Sequence, residues 1–425
     1  MNTFVKFLDE KLSQPMARLS TQRHLRAIRD GIVATLPLII VGSFFLILGN
    51  PPLPQSWGIY KFLTSNAPAI VLPFRMSMAI MTLYATFGIG LSLAESYDLD
   101  GLSGGITATL GFLLTFVPVN VPAEAGLDAA GFMIPMGNLG GGGMFVAIIT
   151  SILAVEIFRW SDKSGIKIKM PEQVPPSVAR SFEALVPTAI VMLLIGSITY
   201  WFGFDWHTFI SRLVQPLVNA TDSLPSVLLL VTMNSFFWAF GIHGASIVGS
   251  IARPIWVVLL EANQHAVDMG TALPHIAPEP FLQWFVYIGG SGATIGLALS
   301  MLFFAKSSYT KSLGKAVIGP SLFNINEPVI FGTPIVLNPI LIIPFVITPG
   351  VLATIAWFAT KFELVNRVYF LAPWTLPGPI GAYLATGGDW RAAVLNVILI
   401  LVSLAIYYPF FRIYDNSLLA EEQGE

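Results

Sequence analysis

The sequence predicts an all-α polytopic membrane protein, and three observations carry that prediction. Hydrophobic residues make up 55% of the 425-residue chain, charged residues only 11%, and the apolar positions fall in runs of membrane-spanning length. Soluble domains carry roughly a quarter charged residues, so an ordinary soluble protein is excluded. Mean hydropathy is +0.73. The net charge of −2 offers no basic surface for nucleic acid, so the lipid bilayer is the expected partner and nucleic acid is not. With no cysteine, the polypeptide has no disulfide, no thiolate metal site and no phosphocysteine of its own.

The first thirty residues carry Lys6, Lys11, Arg18, Arg23, Arg26 and Arg29 with Phe4, Phe7, Leu8 and Leu12 on one helical face. This pattern suits an interfacial helix on the cytoplasmic side. The first long apolar run, Ile32 to Leu48, starts too late for a secretory signal and reads as a retained span. It stops at Gly49, Asn50, Pro51, Pro52 and Pro54, which cannot continue a helix. Further spans are predicted at Ile70 to Leu93, Leu102 to Val117, Met144 to Trp160, Leu185 to Phe202, Leu224 to Phe240, Phe281 to Phe304, Ile335 to Phe358 and Ala392 to Phe411, about nine in all. Three pieces, Ala245 to Leu260, Ala316 to Phe331 and Leu364 to Leu384, are apolar but short or interrupted by Pro and Gly. These read as re-entrant hairpins or broken helices, which at membrane depth must line protein or a water-filled cavity.

The connection from Arg159 to Glu183 holds Arg159, Lys163, Lys167, Lys169 and Arg180, which places it in the cytoplasm. The next span exits, and Asp205 to Asp222 suits an amphipathic helix on the outer face. An even number of crossings agrees with cytoplasmic N- and C-termini. The change from plain to interrupted spans divides the chain into 1–204 and 205–425.

The run Asn324-Ile325-Asn326-Glu327-Pro328-Val329-Ile330-Phe331-Gly332-Thr333-Pro334 sets a carboxylate and two amides among apolar residues. Ionisable groups in such places are costly and mark functional sites by default. The prolines free nearby backbone groups, and carboxylate with carboxamides suits a polyhydroxyl ligand, although the same groups could merely cap a broken helix. A second feature is Gly241-Ile242-His243-Gly244, after Phe236, Phe237, Trp238 and Phe240, with Asn234 just before. Its histidine can donate, accept and hold a proton near neutral pH, and its glycines give close access. Trp238, Trp284 and Trp374 could stack on a sugar ring, whereas most such tryptophans sit in interfacial belts. Trp374, in Pro373-Trp374-Thr375-Leu376-Pro377-Gly378-Pro379, is the strongest of them. Arg253 and His275 are weaker candidates. No nucleotide, dinucleotide or metal-ligand motif is present, so no cofactor and no metal are expected.

The Asn324 to Pro334 run resembles the signature of the membrane components, enzyme IIC, of the bacterial phosphoenolpyruvate-dependent phosphotransferase system, in the lactose/cellobiose family. Gly241 to Gly244, the Pro373 to Pro379 run, the basic start and the length fit the same resemblance. It implies about ten transmembrane helices plus two re-entrant hairpin regions in a bacterial cell membrane. A homodimer would form through helices of 1–204, and 205–425 would be the transport unit. It further implies uptake of a disaccharide whose 6-hydroxyl receives a phosphoryl group from a phosphorylated enzyme IIB. Because this chain has no cysteine, IIB would be a separate polypeptide, which favours cellobiose or diacetylchitobiose over lactose. Whether such a chain counts as an enzyme stays open, since the donor cysteine lies elsewhere.

Carried onto this sequence, the family's site glutamate falls on Glu327 and its histidine on His243, either of which could take the hydroxyl proton. Asn324 and Asn326 would bind substrate, with Asn234, Trp238, Trp374 and Gly244 as weaker substrate contacts. The competing reading is a proton-coupled secondary sugar transporter that uses His243 and Glu327 as a relay. An intramembrane hydrolase lacks a paired nucleophile and base.

Overall fold

The computed structural model describes residues 22–423 apart from 52, 123–130, 172, 240–242, 334, 336, 337 and 339. The basic start of the chain through residue 21 therefore lies outside the described residues, as do Gly241, Ile242 and Pro334. Among the described residues the chain is helical apart from one short β-ribbon, and its contacts divide it into two units.

The first unit groups 22–42 with 71–218. Helix α1 (Arg23–Val33) starts where the Gln22 side chain accepts the Leu25 N–H at 2.7 Å. Helices α2 (Leu36–Gly49) and α3 (Gly58–Ser65) follow, and residues 43–70 group with the second unit. Helices α4 (Met81–Glu95) and α5 (Gly101–Leu113) pack on each other, and α6 (Met144–Ser164) packs on both. Small residues permit the α4–α5 approach: a Cβ on Gly90 would lie 2.4 Å from Ala108 Cβ, and one on Gly104 would lie 2.4 Å from Ala94 Cβ. Asp100 caps α5 by accepting the Ser103 N–H at 2.9 Å.

Strands β1 (Val119–Val121) and β2 (Gly131–Met133) pair antiparallel with Asn120 opposite Phe132, a ribbon with no counterpart in the sequence reading. The basic connection carries α7 (Pro176–Glu183), after which α8 (Leu185–Gly196) ends in one wide turn through Trp201. The amphipathic helix expected over Asp205 to Asp222 is α9 (Trp206–Thr221).

The second unit joins 43–70 to 219–425. Besides α3, its helices are α10 (Leu224–Ala239), α11 (Gly244–Asp268), α12 (Glu279–Phe285), α13 (Ile295–Phe304), α14 (Ser308–Leu322), α15 (Glu327–Gly332), α16 (Ile342–Lys361), α17 (Gly378–Ala385) and α18 (Trp390–Gln423). Trp238, Leu297, Val329, Ile330, Phe345 and Tyr407 belong to one buried apolar cluster drawn from six of these helices. The end of α18 locks the start of α14. The buried Asp415 carboxylate accepts the N–H groups of Lys306 and Ser307 at 2.8 and 3.1 Å and the Thr310 hydroxyl at 2.5 Å.

Two expectations need correction. The run Phe281 to Phe304 is not one span: it breaks between α12 and α13, where Gly289, Gly290 and Gly292 take φ of +77°, +98° and +79°. Ala245 to Leu260, expected to be interrupted, lies inside the unbroken 25-residue α11, which accommodates Pro254. The other two interrupted pieces are broken as expected, at 323–326 and over 362–377. By length and composition, six of the described helices can cross a membrane, and Gly101–Leu113 and Ser291–Phe304 form shorter apolar helices.

Candidate functional site

The break between α14 and α15 is set by Asn324, which adopts φ +61°, and by Pro328, whose missing N–H is harmless in the first turn of α15. Asn324 spends its whole carboxamide on backbone. Its Oδ1 accepts the Gly289 N–H at 2.8 Å, and its Nδ2 donates to the carbonyls of Trp374 and Leu376 at 2.8 and 3.1 Å. One side chain thus ties three non-helical segments together. Asn326, buried, donates to the Ser291 carbonyl at 2.6 Å. Gly290 lies directly under it, since a Cβ there would stand 2.4 Å from Asn326 Cγ.

The same loop meets the end of α10. Asn234 is fully buried with its Nδ2 3.5 Å from Ser291 Oγ, a distance at the outer limit of a hydrogen bond. Its backbone carbonyl would lie 2.0 Å from a Cβ on Gly244, so only glycine fits at the start of α11. His243, exposed, faces the Trp238 ring with centroids 4.6 Å apart. Two buried polar atoms here have no hydrogen-bond partner among the described residues, the acceptor Asn234 Oδ1 and the donor Trp238 Nε1. Each such group costs about 1–3 kcal/mol if it stays unpaired. One is an acceptor and the other a donor.

Trp238 shares its apolar cluster with Val329 and Ile330 of α15. Glu327, two residues earlier, has an exposed side chain rather than the buried one the sequence suggested. Trp374 is exposed in the 362–377 segment. That segment is anchored at its far end by Asp389, which accepts the Asn366 N–H at 2.8 Å and the Arg391 guanidinium at 2.9 and 3.0 Å. Burial alone would raise the Asp389 carboxyl, but these bonds and the Arg391 charge hold it below the ordinary carboxylate value.

The structure therefore brings Asn324, Asn326, Asn234, Trp238, His243 and Gly244 to one group of loops with the backbone of Trp374. The weaker candidates lie elsewhere in local pairs: Arg253 donates to Glu279 at 2.7 Å, and His275 Nδ1 lies 3.3 Å from Asp222. Ser291 was missed, along with Tyr407, whose hydroxyl donates to the Gly292 carbonyl at 2.7 Å. The Gly-Gly-Ser-Gly run at 289–292 was the available signal for a break in that span.

Comparison with known proteins decides the family. The profile described as "Phosphotransferase system, EIIC" matches residues 29–349. The chain belongs to the phosphotransferase system EIIC family. Within that family this EIIC chain is 42% identical to the lichenan permease IIC component of Bacillus subtilis (strain 168), over 99% of its own length and 96% of the relative's. It is 40% identical to the cellobiose-specific EIIC component of Geobacillus stearothermophilus, over 100% and 97% of the two chains. Among solved structures it is similar to the transporter ChbC, the IIC component of the N,N'-diacetylchitobiose-specific phosphotransferase system. The TM-score is 0.91 with 38% identity, covering 99% of this chain and 100% of that one. The all-helical, multi-pass EIIC fold and the resemblance to the enzyme IIC family both hold, and the proton-coupled alternative gains no support from the family.

Proposed function

We propose that this EIIC chain carries a disaccharide, cellobiose or N,N'-diacetylchitobiose, across the membrane and presents its 6-hydroxyl to a separate phosphorylated enzyme IIB. The observation that carries the proposal is the pair of unpartnered atoms, Asn234 Oδ1 and Trp238 Nε1, the second on a ring that faces His243 and packs in one cluster with Val329 and Ile330 of the Glu327 helix. Sugar hydroxyls would satisfy both. The names of the relatives, which refer to lichenan, cellobiose and diacetylchitobiose, support the substrate class.

In the transfer step the sugar O6 attacks the phosphorus of the IIB phosphocysteine, an O–P bond forms, the S–P bond breaks, and the cysteine leaves as thiolate. The hydroxyl proton passes to Glu327 or His243. Phosphoryl transfer depends chiefly on positioning, so the side chain that orients O6 matters as much as the one that takes its proton. Asn324 and Asn326 shape the site by holding its loops, and Trp374 stacks on the sugar from the anchored 362–377 segment. Residues 1–204 form the dimer contact of a homodimer, 205–425 form the transport unit, and both termini lie in the cytoplasm.

The test is uptake into membrane vesicles. Uptake that requires phosphoenolpyruvate with the soluble phosphotransferase components, and survives an uncoupler, is expected. Uptake that collapses with the uncoupler and ignores phosphoenolpyruvate would return the chain to proton coupling.

A further inference from the structure

The first unit holds a cavity of about 320 Å³ with a buried histidine in its wall, far along the chain from the proposed sugar site. Its lining comes from the end of α5 (Thr115, Phe116), the approach to α6 (Asn138), the end of α8 (Thr199) and the turn into α9 (Phe204, Asp205, His207). These are the ends of α6 and α8 opposite the basic 159–183 connection. His207 is only 8% exposed. Its ring lies 4.5 Å from that of Phe116 and 6.1 Å from that of Phe112, centroid to centroid.

The hydrogen bonds fix the tautomer. The Thr115 hydroxyl donates its only proton to the Phe112 carbonyl at 2.6 Å, so toward His207 Nε2, 3.0 Å away, it can only accept. Nε2 therefore carries the imidazole proton. In the neutral ring Nδ1 is then a bare acceptor, and it is buried with no partner among the described residues. The cavity is also lined by the Asn138 carboxamide, an aromatic wall and the Asp205 carboxylate, whose Oδ1 accepts the Thr208 N–H at 3.0 Å in the first turn of α9. Acceptors around a flat apolar face match a ligand that bears several hydroxyls on a ring. The volume is at the small end of ligand sites and suits one sugar ring rather than two.

We propose that this cavity is a second carbohydrate site, which takes a single neutral pyranose ring and hydrogen-bonds one hydroxyl to His207 Nδ1. It is independent of the transport site, so the two readings can fail separately. The experiment is ¹⁵N NMR of imidazole-labelled, detergent-purified full chain titrated with methyl β-glucopyranoside at fixed pH, with resonances assigned from His207→Gln and His243→Ala. A saturable shift of His207 Nδ1 with a Kd below about 10 mM, retained in His243→Ala and weakened about tenfold in Asp205→Ala, is the expected result. A His207 resonance that the glycoside leaves unmoved, or that moves equally with ethylammonium, overturns the proposal. Because wild-type protein supplies the primary readout, poor folding of a variant does not rescue it.

Discussion

Asn326 donates to the Ser291 carbonyl at 2.6 Å, joining the loop before α15 to the loop between α12 and α13. Ser291 also faces Asn234 at the end of α10, so the glutamate-bearing and histidine-bearing segments meet at this one residue. The geometry of any site built from both depends on that junction.

Removing the donor should loosen it. Asn326→Ala leaves the part-buried Ser291 carbonyl without its donor, at a cost of about 1 kcal/mol. Gly290→Ala should cost more, because it adds a Cβ at φ +98° and 2.4 Å from Asn326 Cγ. Thermal unfolding in detergent, read beside sugar affinity, checks both, and the order Gly290→Ala worse than Asn326→Ala is expected.

Gly244→Ala would place a Cβ 2.0 Å from the Asn234 carbonyl, so α11 must shift at its first turn and carry His243 with it. Sugar binding should fall at least about tenfold while helix content stays unchanged, since a displacement of this size spoils a positioned site before it unfolds a helix. Calorimetric titration with circular dichroism separates the two effects.

The sequence announced the membrane class, the EIIC family and the breaks at 323–326 and 362–377. It misplaced two others for one physical reason. Proline and glycine alike read as breakers in the sequence, yet α9, α11, α14, α16 and α18 each contain an internal proline, because neighbouring groups can re-satisfy the one carbonyl that loses its donor. The break that mattered, at 286–294, comes from glycines in left-handed conformations inside a hydrophobic run, where hydropathy conceals it. The asparagine partners were also hidden. A carboxamide that bonds ligand and one that ties loops look alike in sequence, and Asn324 turns out to hold three backbone groups.

Asp415 fixes the turn that leads into α14, whose N-cap is Ser307, so Asp415→Ala should destabilise the second unit by about 2–3 kcal/mol through loss of charge-assisted hydrogen bonds. Asp415→Asn, which keeps one acceptor oxygen, should lose less. Protease resistance of the Lys306 to Thr310 turn is the readout, with the alanine variant cut faster.

Asp100 gives a pH signature. Burial alone would raise its carboxyl, but the bonds from Ser103 and the Arg180 charge outweigh that and hold it below the ordinary value. A depressed folded pKa means that its stabilisation is complete above the unfolded value, near pH ~3.9, and fades as pH falls through the folded value. Asp100→Asn should therefore be less stable than wild type by about 1 kcal/mol near neutrality, with the gap closing in acid. Melting temperatures of both proteins from neutral pH to about pH 3 check it, and a gap that widened in acid would contradict the assignment.

The central claim is that Glu327 and His243 hold and activate a sugar hydroxyl for an incoming phosphoryl group. It is tested most directly by the rate of sugar phosphate formation from cellobiose and diacetylchitobiose, with purified Glu327→Gln and His243→Ala chains, phosphorylated IIB, and sugar binding measured in parallel. The account predicts that at least one disaccharide binds the wild type and that Glu327→Gln slows phosphorylation by about a hundredfold or more, with His243→Ala impaired in binding, transfer or both. Phosphorylation at the wild-type rate in both variants, with normal binding, would contradict it.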